Sequence, residues 1–259
     1  MSHAGHLSRQ QGFSLLELAL VLALVGGMAL IVMQYRGQAL SQDKSIAQGY
    51  QDQIAAALFQ YALRHYRLPC ADTNGNGFEG GSDGACGQGS TNHMVGGVPF
   101  QTLNMPETQG LSEAVRQRYV YGVFRDNSTA GDLSTLTERT GDALGTSGYL
   151  SLNDLRYALR ALGARAFDAG RIHVTGDAQQ AGAANCATNP LGNLAFFVAY
   201  AGTRDADDDG DAFDGENSDL KWPAGGGLCV SGPLTTQDEQ YDDAIVAVGF
   251  AELLGYLTQ

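Results

Sequence analysis

The sequence predicts an α+β fold, in which one long amino-terminal helix packs on a mainly antiparallel β-sheet with large loop insertions. Two features of the 259-residue chain support this class. An apolar run at residues 13–33 continues into sequence of helical periodicity, with no proline before Pro69. Short apolar segments of strand character then alternate with loops that hold many of the 35 glycines. A helix followed by strands that are joined mostly by hairpins is typical of α+β proteins.

The predicted helix covers residues 13–66 and would be about 80 Å long at a rise of about 1.5 Å per residue. Its first part, residues 13–33, matches the roughly 20 residues that a helix needs to cross a bilayer core. Glu17 places a carboxylate inside this apolar run. The second part carries an apolar stripe with helical spacing, formed by Ile46, Tyr50, Ile54, Leu58 and Tyr61. We therefore expect the first part to lie in a membrane and the second to pack on a globular domain, residues 67–259.

The globular domain is predicted to contain short strands and two helices. Alternation of Tyr119, Tyr121 and Val123 indicates a strand over 118–124. A capping box from Ser151 to Asp154 opens a helix that ends near residue 162. The other predicted elements are a short extended segment at 98–100, strands at 172–175, 194–200, 227–231 and 244–248, and a terminal helix at 249–257. Residues 133–139 are ambiguous.

The net charge and the arrangement of polar residues argue against nucleic-acid binding and against catalysis. The chain has 28 acidic and 15 basic residues and a net charge of −13. This balance argues against nucleic-acid binding, which depends on Lys and Arg neutralising phosphates. The histidines are scattered, and no acid–base or nucleophile constellation is present in the sequence, so the chain is predicted not to be an enzyme.

The four cysteines predict two disulfides. None forms a C-x-x-C pair, which disfavours a zinc ribbon or a redox motif. An even number of cysteines in a domain outside the cytoplasm favours disulfide formation. Of the three possible pairings we favour Cys70–Cys86 with Cys186–Cys229, which keeps one bridge local and lets the other join the carboxy-terminal half. Free buried thiols are the alternative.

An acidic segment after the predicted strand at 194–200 is a candidate calcium loop. Positions 1, 3, 5, 7 and 12 of the pattern D-x-D/N-x-D/N-G-x5-E are taken by Asp205, Asp207, Asp209, Asp211 and Glu216. Calcium prefers six to eight oxygen ligands, and carboxylates that alternate around a glycine turn can supply them. Gly210 stands at the turn position. The alternative is a solvated acidic loop with Asp-Gly turns.

A second loop matches the same pattern less completely. Asp72, Asn74, Asn76 and Asp83 take positions 1, 3, 5 and 12. Aspartate at position 12 is shorter than the usual glutamate, and the two asparagines add no charge. The alternative here is an ordinary loop of Asn-Gly turns.

The start of the apolar run reads G-F-S-L-L-E from Gly12 to Glu17, behind a polar segment at residues 1–12. This stretch resembles the type III signal of the type IV prepilins, a family that includes the pseudopilins of type II secretion. The resemblance implies that a prepilin peptidase removes residues 1–12 as a leader by cutting between Gly12 and Phe13, and methylates the new amino terminus. It also implies that Glu17 pairs with the free amino terminus of a neighbouring subunit.

The same resemblance implies a pilin-like fold and a location for the chain. The protein would pass once through the inner membrane with a periplasmic domain, and would later join other pilin or pseudopilin subunits in a filament. A looser resemblance, to a group of large minor pilins, extends into the globular domain. It rests on Leu68-Pro69-Cys70, on the loop that starts at Asp72, and on the segment Gly97-Val98-Pro99-Phe100.

The sequence therefore predicts a minor pilin or pseudopilin with a calcium-stabilised globular domain. One alternative is a calcium-dependent adhesin or binding module that the same helix displays at the surface. Another is a plain signal anchor that tolerates Glu17 near its cytoplasmic end.

Overall fold

The computed structural model describes most of the chain beyond residue 47. The described residues are 19–20, 22–25, 28, 48–81, 86–87, 91–105, 112–141, 150–176, 186, 189–223, 226–235, 237 and 240–258. The chain divides into two compact units, Met1–Ile46 and Ala47–Gln259.

The predicted processing and assembly residues, Gly12, Phe13 and Glu17, lie outside the described residues, together with the predicted leader at 1–12. Seven residues of the apolar run at 13–33 are described, and all seven are helical. Among the residues that the structure describes, no helix combines the length and the apolar character needed to cross a membrane.

The second unit is built from four helices and seven strands in its described part. In chain order these are α1 (48–65), β1 (Val95–Gly97), α2 (Glu113–Arg116), β2 (Tyr119–Val123), α3 (Leu152–Gly163), β3 (His173–Thr175), β4 (Pro190–Asn193), β5 (Phe196–Tyr200), β6 (Cys229–Ser231), β7 (Ala244–Val248) and α4 (Phe250–Tyr256). The unit is therefore α+β with a mostly antiparallel arrangement of strands, as the sequence predicts.

Helix α1 packs on the central sheet through one face. Ile54, Leu58 and Ala62 recur at helical spacing and are fully buried. The side chain of Gln51 donates hydrogen bonds to the carbonyl of Val198 at 3.1 Å and to that of Ala244 at 2.7 Å. Because these carbonyls belong to β5 and β7, the glutamine joins the helix to two neighbouring strands.

The central sheet has four strands in the order β1-β2-β5-β7, and all neighbours are antiparallel. Every residue of the two inner strands is buried, which explains why both read as continuous apolar and aromatic runs. Gly122 of β2 lies opposite Phe197 of β5. A side chain at Gly122 would collide with the Phe197 ring, so the close packing of these strands requires glycine there.

A smaller sheet of three strands has the order β4-β3-β6. Strand β3 pairs antiparallel with β4 but parallel with β6. Both predicted disulfides are present: Cys70 is bonded to Cys86, and Cys186 is bonded to Cys229 of β6. The second bridge spans 43 residues and holds β6 to the segment before β4.

Helices α3 and α4 pack on each other beside the main sheet. The predicted capping box of α3 is confirmed, since Ser151 accepts a hydrogen bond from the Asn153 amide and Asp154 accepts one from the Ser151 amide. The buried face of α3 consists of Asp154, Leu155, Ala158, Leu159 and Leu162. From α4, Phe250 meets Phe124 edge-on with 5.1 Å between the ring centroids.

A fully buried ion pair lies just after β2, and its arginine also contacts the backbone at Cys86 and Asn92. Arg125 lies 2.8 Å from Asp132, and both side chains are 0% exposed. The Arg125 guanidinium also donates hydrogen bonds to the backbone carbonyls of Cys86 at 2.6 Å and Asn92 at 2.7 Å. Asp132 in turn accepts a hydrogen bond from the hydroxyl of Thr135 at 2.7 Å.

At two places the strands differ from the expected elements. The short extended segment expected at 98–100 is not a strand, and β1 lies just before it at Val95–Gly97, because Pro99 has no amide for a sheet and its carbonyl accepts the Leu103 amide in a turn. Residues 133–139, which the sequence left ambiguous, form neither helix nor strand. Strand β4 is not predicted, since its sequence PLGN has none of the usual strand residues apart from leucine.

Candidate functional site

The acidic loop that follows β5 curls around Asp205. One carboxylate oxygen of Asp205 accepts the Asp209 amide at 3.2 Å, and the other accepts the Gly210 amide at 2.9 Å. Gly210 has a φ of 93°, a conformation that favours glycine. The glycine at position 6 of the sequence pattern is therefore the residue that turns the loop.

Three of the five predicted calcium ligands come together in this loop. Carboxylate oxygens of Asp205, Asp207 and Asp209 lie within 4.8 Å of one another. Asp207 accepts the Gly215 amide at 3.0 Å through Oδ2, whereas its Oδ1 is buried and has no hydrogen-bond partner among the described residues. Burial raises the pKa of Asp207, and the negative charge of Asp209 raises it further. Carboxylate oxygens at this separation are of the kind that could hold a hard cation.

The other two predicted ligands, Asp211 and Glu216, are not members of this group. The exposed Asp211 is 4.0 Å from the ammonium group of Lys221. Glu216 is buried in a 3-10 turn, Gly215–Asn217. Neither carboxylate belongs to the group of three that lies within 4.8 Å.

The second predicted loop uses its polar groups for its own turns. Asp72 is 2% exposed and accepts the amides of Asn74 at 3.1 Å, Gly75 at 2.8 Å and Gly77 at 2.6 Å. The side chain of Asn74 accepts the Asn76 amide at 3.1 Å. Asp83 lies outside the described residues. The described geometry is that of consecutive Asx turns, the alternative that the sequence left open for this loop.

Glu79 holds the base of this second loop. It lies 2.6 Å from Arg67 and accepts the Cys70 amide at 3.2 Å. Burial alone would raise the pKa of Glu79, but the Arg67 guanidinium outweighs it and holds that pKa below its usual range. Cys70 and Cys86 approach the same carboxylate, but they are bonded to each other and offer no thiolate to a metal.

A third acidic group was not predicted from the sequence. Carboxylate oxygens of Asp214, Asp242 and Asp243 also lie within 4.8 Å of one another. Asp214 precedes the 3-10 turn, whereas Asp242 and Asp243 precede β7, 28 and 29 residues further along the chain. The sequence signal that could have pointed to this group is the pair of adjacent aspartates before β7, Asp242 and Asp243. Their distance along the chain from Asp214 gives no reason to expect that the three carboxylates lie together.

Burial dominates the electrostatics of this third group. It raises the pKa of Asp243 well above the usual value, and the charges of Asp214 and Asp242 add to that effect. Burial likewise raises the pKa of Asp214. Nearby, Asn217 donates hydrogen bonds to Asp243 at 2.8 Å and to the hydroxyl of Tyr241 at 3.0 Å. The carboxylates are thus part of a buried polar network between the acidic loop and β7.

Comparison of the chain with family models, with curated proteins and with solved structures found no match in any of the three.

Proposed function

We propose that the chain is a structural subunit, a minor pilin or pseudopilin, of a type IV pilus or type II secretion filament. The observation that carries this proposal is the sequence from Gly12 to Glu17, directly followed by an apolar run at residues 18–33. An ordinary membrane anchor has no need of a glutamate in such a run, where a charge costs on the order of 3 kcal/mol.

The packing of α1 supports the proposal. A helix that extends a membrane segment and anchors a globular domain must present one apolar face to that domain. Ile54, Leu58 and Ala62 do so, while Asp52, Gln60 and other polar residues of α1 are exposed. The two disulfides suit a domain that works outside the cytoplasm.

Processing by a prepilin peptidase tests the proposal most directly. Co-expression of the full chain with such a peptidase should yield a protein whose intact mass lacks residues 1–12 and carries one methyl group on Phe13. Gly12→Val, which puts a branched side chain at the cleaved bond, should keep residues 1–12. If the peptidase cleaves a known prepilin in the same cells but leaves this chain whole, the filament assignment is wrong.

We further propose that Asp205, Asp207 and Asp209 hold a structural calcium ion. Packing these carboxylates together without a cation is repulsive, and the buried Oδ1 of Asp207 has no hydrogen-bond partner among the described residues. Calcium would remove the repulsion and fix the loop. Loops that work outside the cell bind calcium with dissociation constants of about 10⁻⁴–10⁻³ M.

Replacement of Asp207 and Asp209 by alanine should abolish the part of the calcium-induced rise in Tm that this site supplies. At about 10 mM calcium such an ion contributes roughly 1.4–2.7 kcal/mol, which for a domain of this size is a shift in Tm of about 3–10 °C. Melting curves with calcium and with EGTA measure this difference. Asp219→Ala, which removes one charge outside the three-carboxylate group, is the control. Equal calcium-induced shifts in the double variant and the unmodified chain would contradict the site.

A further inference from the structure

The carboxylates of Asp214, Asp242 and Asp243 join two distant segments of the chain in the interior of the domain. Asp214 is fully buried, Asp243 is 2% exposed, and the side chain of Asp242 is 15% exposed. Three carboxylates this close together repel one another strongly in a medium of low dielectric constant. The group therefore needs protons or a cation.

Neutral amides hold each of these carboxylates in place. Asp214 accepts the Ala206 amide at 2.8 Å through Oδ1 and the Asp242 amide at 2.7 Å through Oδ2. Asp243 accepts the Asp214 amide at 3.0 Å through Oδ2. The Oδ2 atom of Asp242 accepts the Thr203 amide at 3.0 Å. The orientation of all three side chains is thus fixed by the fold.

Among the described residues, one positive charge lies close to the group, at its edge. Arg204 Nε lies 3.7 Å from Asp242 Oδ2, and the arginine side chain is 47% exposed. Among the described residues no other salt bridge involves the three carboxylates. One half-exposed guanidinium does not neutralise three carboxylates of which two are buried.

Two oxygens of the group have no donor. Asp242 Oδ1 and Asp243 Oδ1 are buried, and in the described part of the chain neither accepts a hydrogen bond. A buried polar atom of this kind costs about 1–3 kcal/mol, and more when it is charged. Since Asp243 is almost wholly buried, water does not readily replace the missing donor. The free Oδ1 of Asp243, a residue that is 2% exposed, is the observation that points to a ligand.

We propose that Asp214, Asp242 and Asp243 form a second calcium site, which shares no carboxylate with the loop site at Asp205, Asp207 and Asp209. The ligands are hard carboxylate oxygens, and two of the three side chains that supply them are almost wholly buried. Magnesium keeps several waters and demands near-ideal octahedral geometry, so calcium fits better. The ion would tie the end of the acidic loop to the start of β7. This inference does not depend on filament assembly.

Asp243→Asn is the variant that separates a cation site from a merely structural network. The asparagine oxygen can still accept the Asp214 amide and the Asn217 side chain, and its NH₂ group can donate to the neighbouring carboxylates. The variant should therefore melt at the same temperature as the unmodified chain, or higher, in EGTA. In calcium it should lose the part of the stabilisation that the second site supplies.

Calcium stoichiometry of the full-length chain, measured by equilibrium dialysis after removal of metal, completes the test. The unmodified chain should bind two calcium ions, Asp243→Asn one, Asp209→Asn one, and the double variant none. Should Asp243→Asn fail to fold, Asp242→Asn replaces it, because that side chain is less buried. If the Asp243 variant keeps the unmodified stoichiometry and the full calcium-induced shift in Tm, the carboxylates share protons and the second site is wrong. If the unmodified chain binds no calcium, both cation sites are wrong while processing after Gly12 still tests the filament proposal.

Discussion

Replacement of Arg125 by methionine is expected to destabilise the globular unit by about 3–5 kcal/mol. Methionine fills much of the same volume but leaves the fully buried carboxylate of Asp132 without its cation. It also removes the hydrogen-bond donors to the backbone carbonyls of Cys86 and Asn92. A loss of this size is a large part of the 5–15 kcal/mol that typical domains possess.

Urea denaturation, followed by the fluorescence of Trp222, the single tryptophan, measures the change. Arg165→Met is the matched control: Arg165 also pairs with an aspartate, Asp126, but its side chain is 47% exposed. Exposed pairs contribute about 0–1 kcal/mol because water screens them. Combining Arg125→Met with Asp132→Asn should restore part of the lost free energy of unfolding, since the unpaired buried side chain at position 132 is then neutral. A loss below about 1 kcal/mol for Arg125→Met alone would show that the pair is not closed to water.

Replacement of Glu17 by alanine is expected to leave cleavage after Gly12 intact and to reduce incorporation into filaments about a hundredfold or more. The proposed pairing joins the Glu17 carboxylate to the amino terminus of a neighbouring Phe13 in an apolar environment. Removing one member of a buried pair costs about 3–5 kcal/mol, and each 1.4 kcal/mol is about a tenfold change in affinity.

The amount of the subunit in sheared filaments, relative to the membrane fraction, measures this effect. Ser14→Ala is the control, because it lies in the same stretch and changes no charge. Its filament content should equal that of the unmodified chain. Glu17→Ala at a normal level in filaments would contradict the pairing, whereas an uncleaved Glu17→Ala would place the role of the glutamate in processing.

Local features of the fold were predictable because they depend on neighbouring residues. The capping box at Ser151 and the turn at Gly210 rest on groups a few positions apart. The strand at Tyr119–Val123 was predicted from local alternation, although its hydrogen bonds go to β1 and β5. The observed disulfide pairing was the favoured one of three possibilities, because Cys70 and Cys86 are only 16 residues apart and a bridge between them closes a short loop. The acidic loop was identified from its spacing, although only three of its five predicted ligands lie together.

The sequence by itself determined the α+β class, most of the helical and strand segments among the described residues, and the candidate processing and loop sites, since turns, caps and side-chain periodicity involve residues a few positions apart. The tertiary structure alone decided the strand order β1-β2-β5-β7, the parallel pairing of β3 with β6, and the burial of Arg125 against Asp132. It also brought Asp242 and Asp243 to Asp214. These contacts join residues through packing of the whole domain, and long-range packing leaves no periodic signal in the chain.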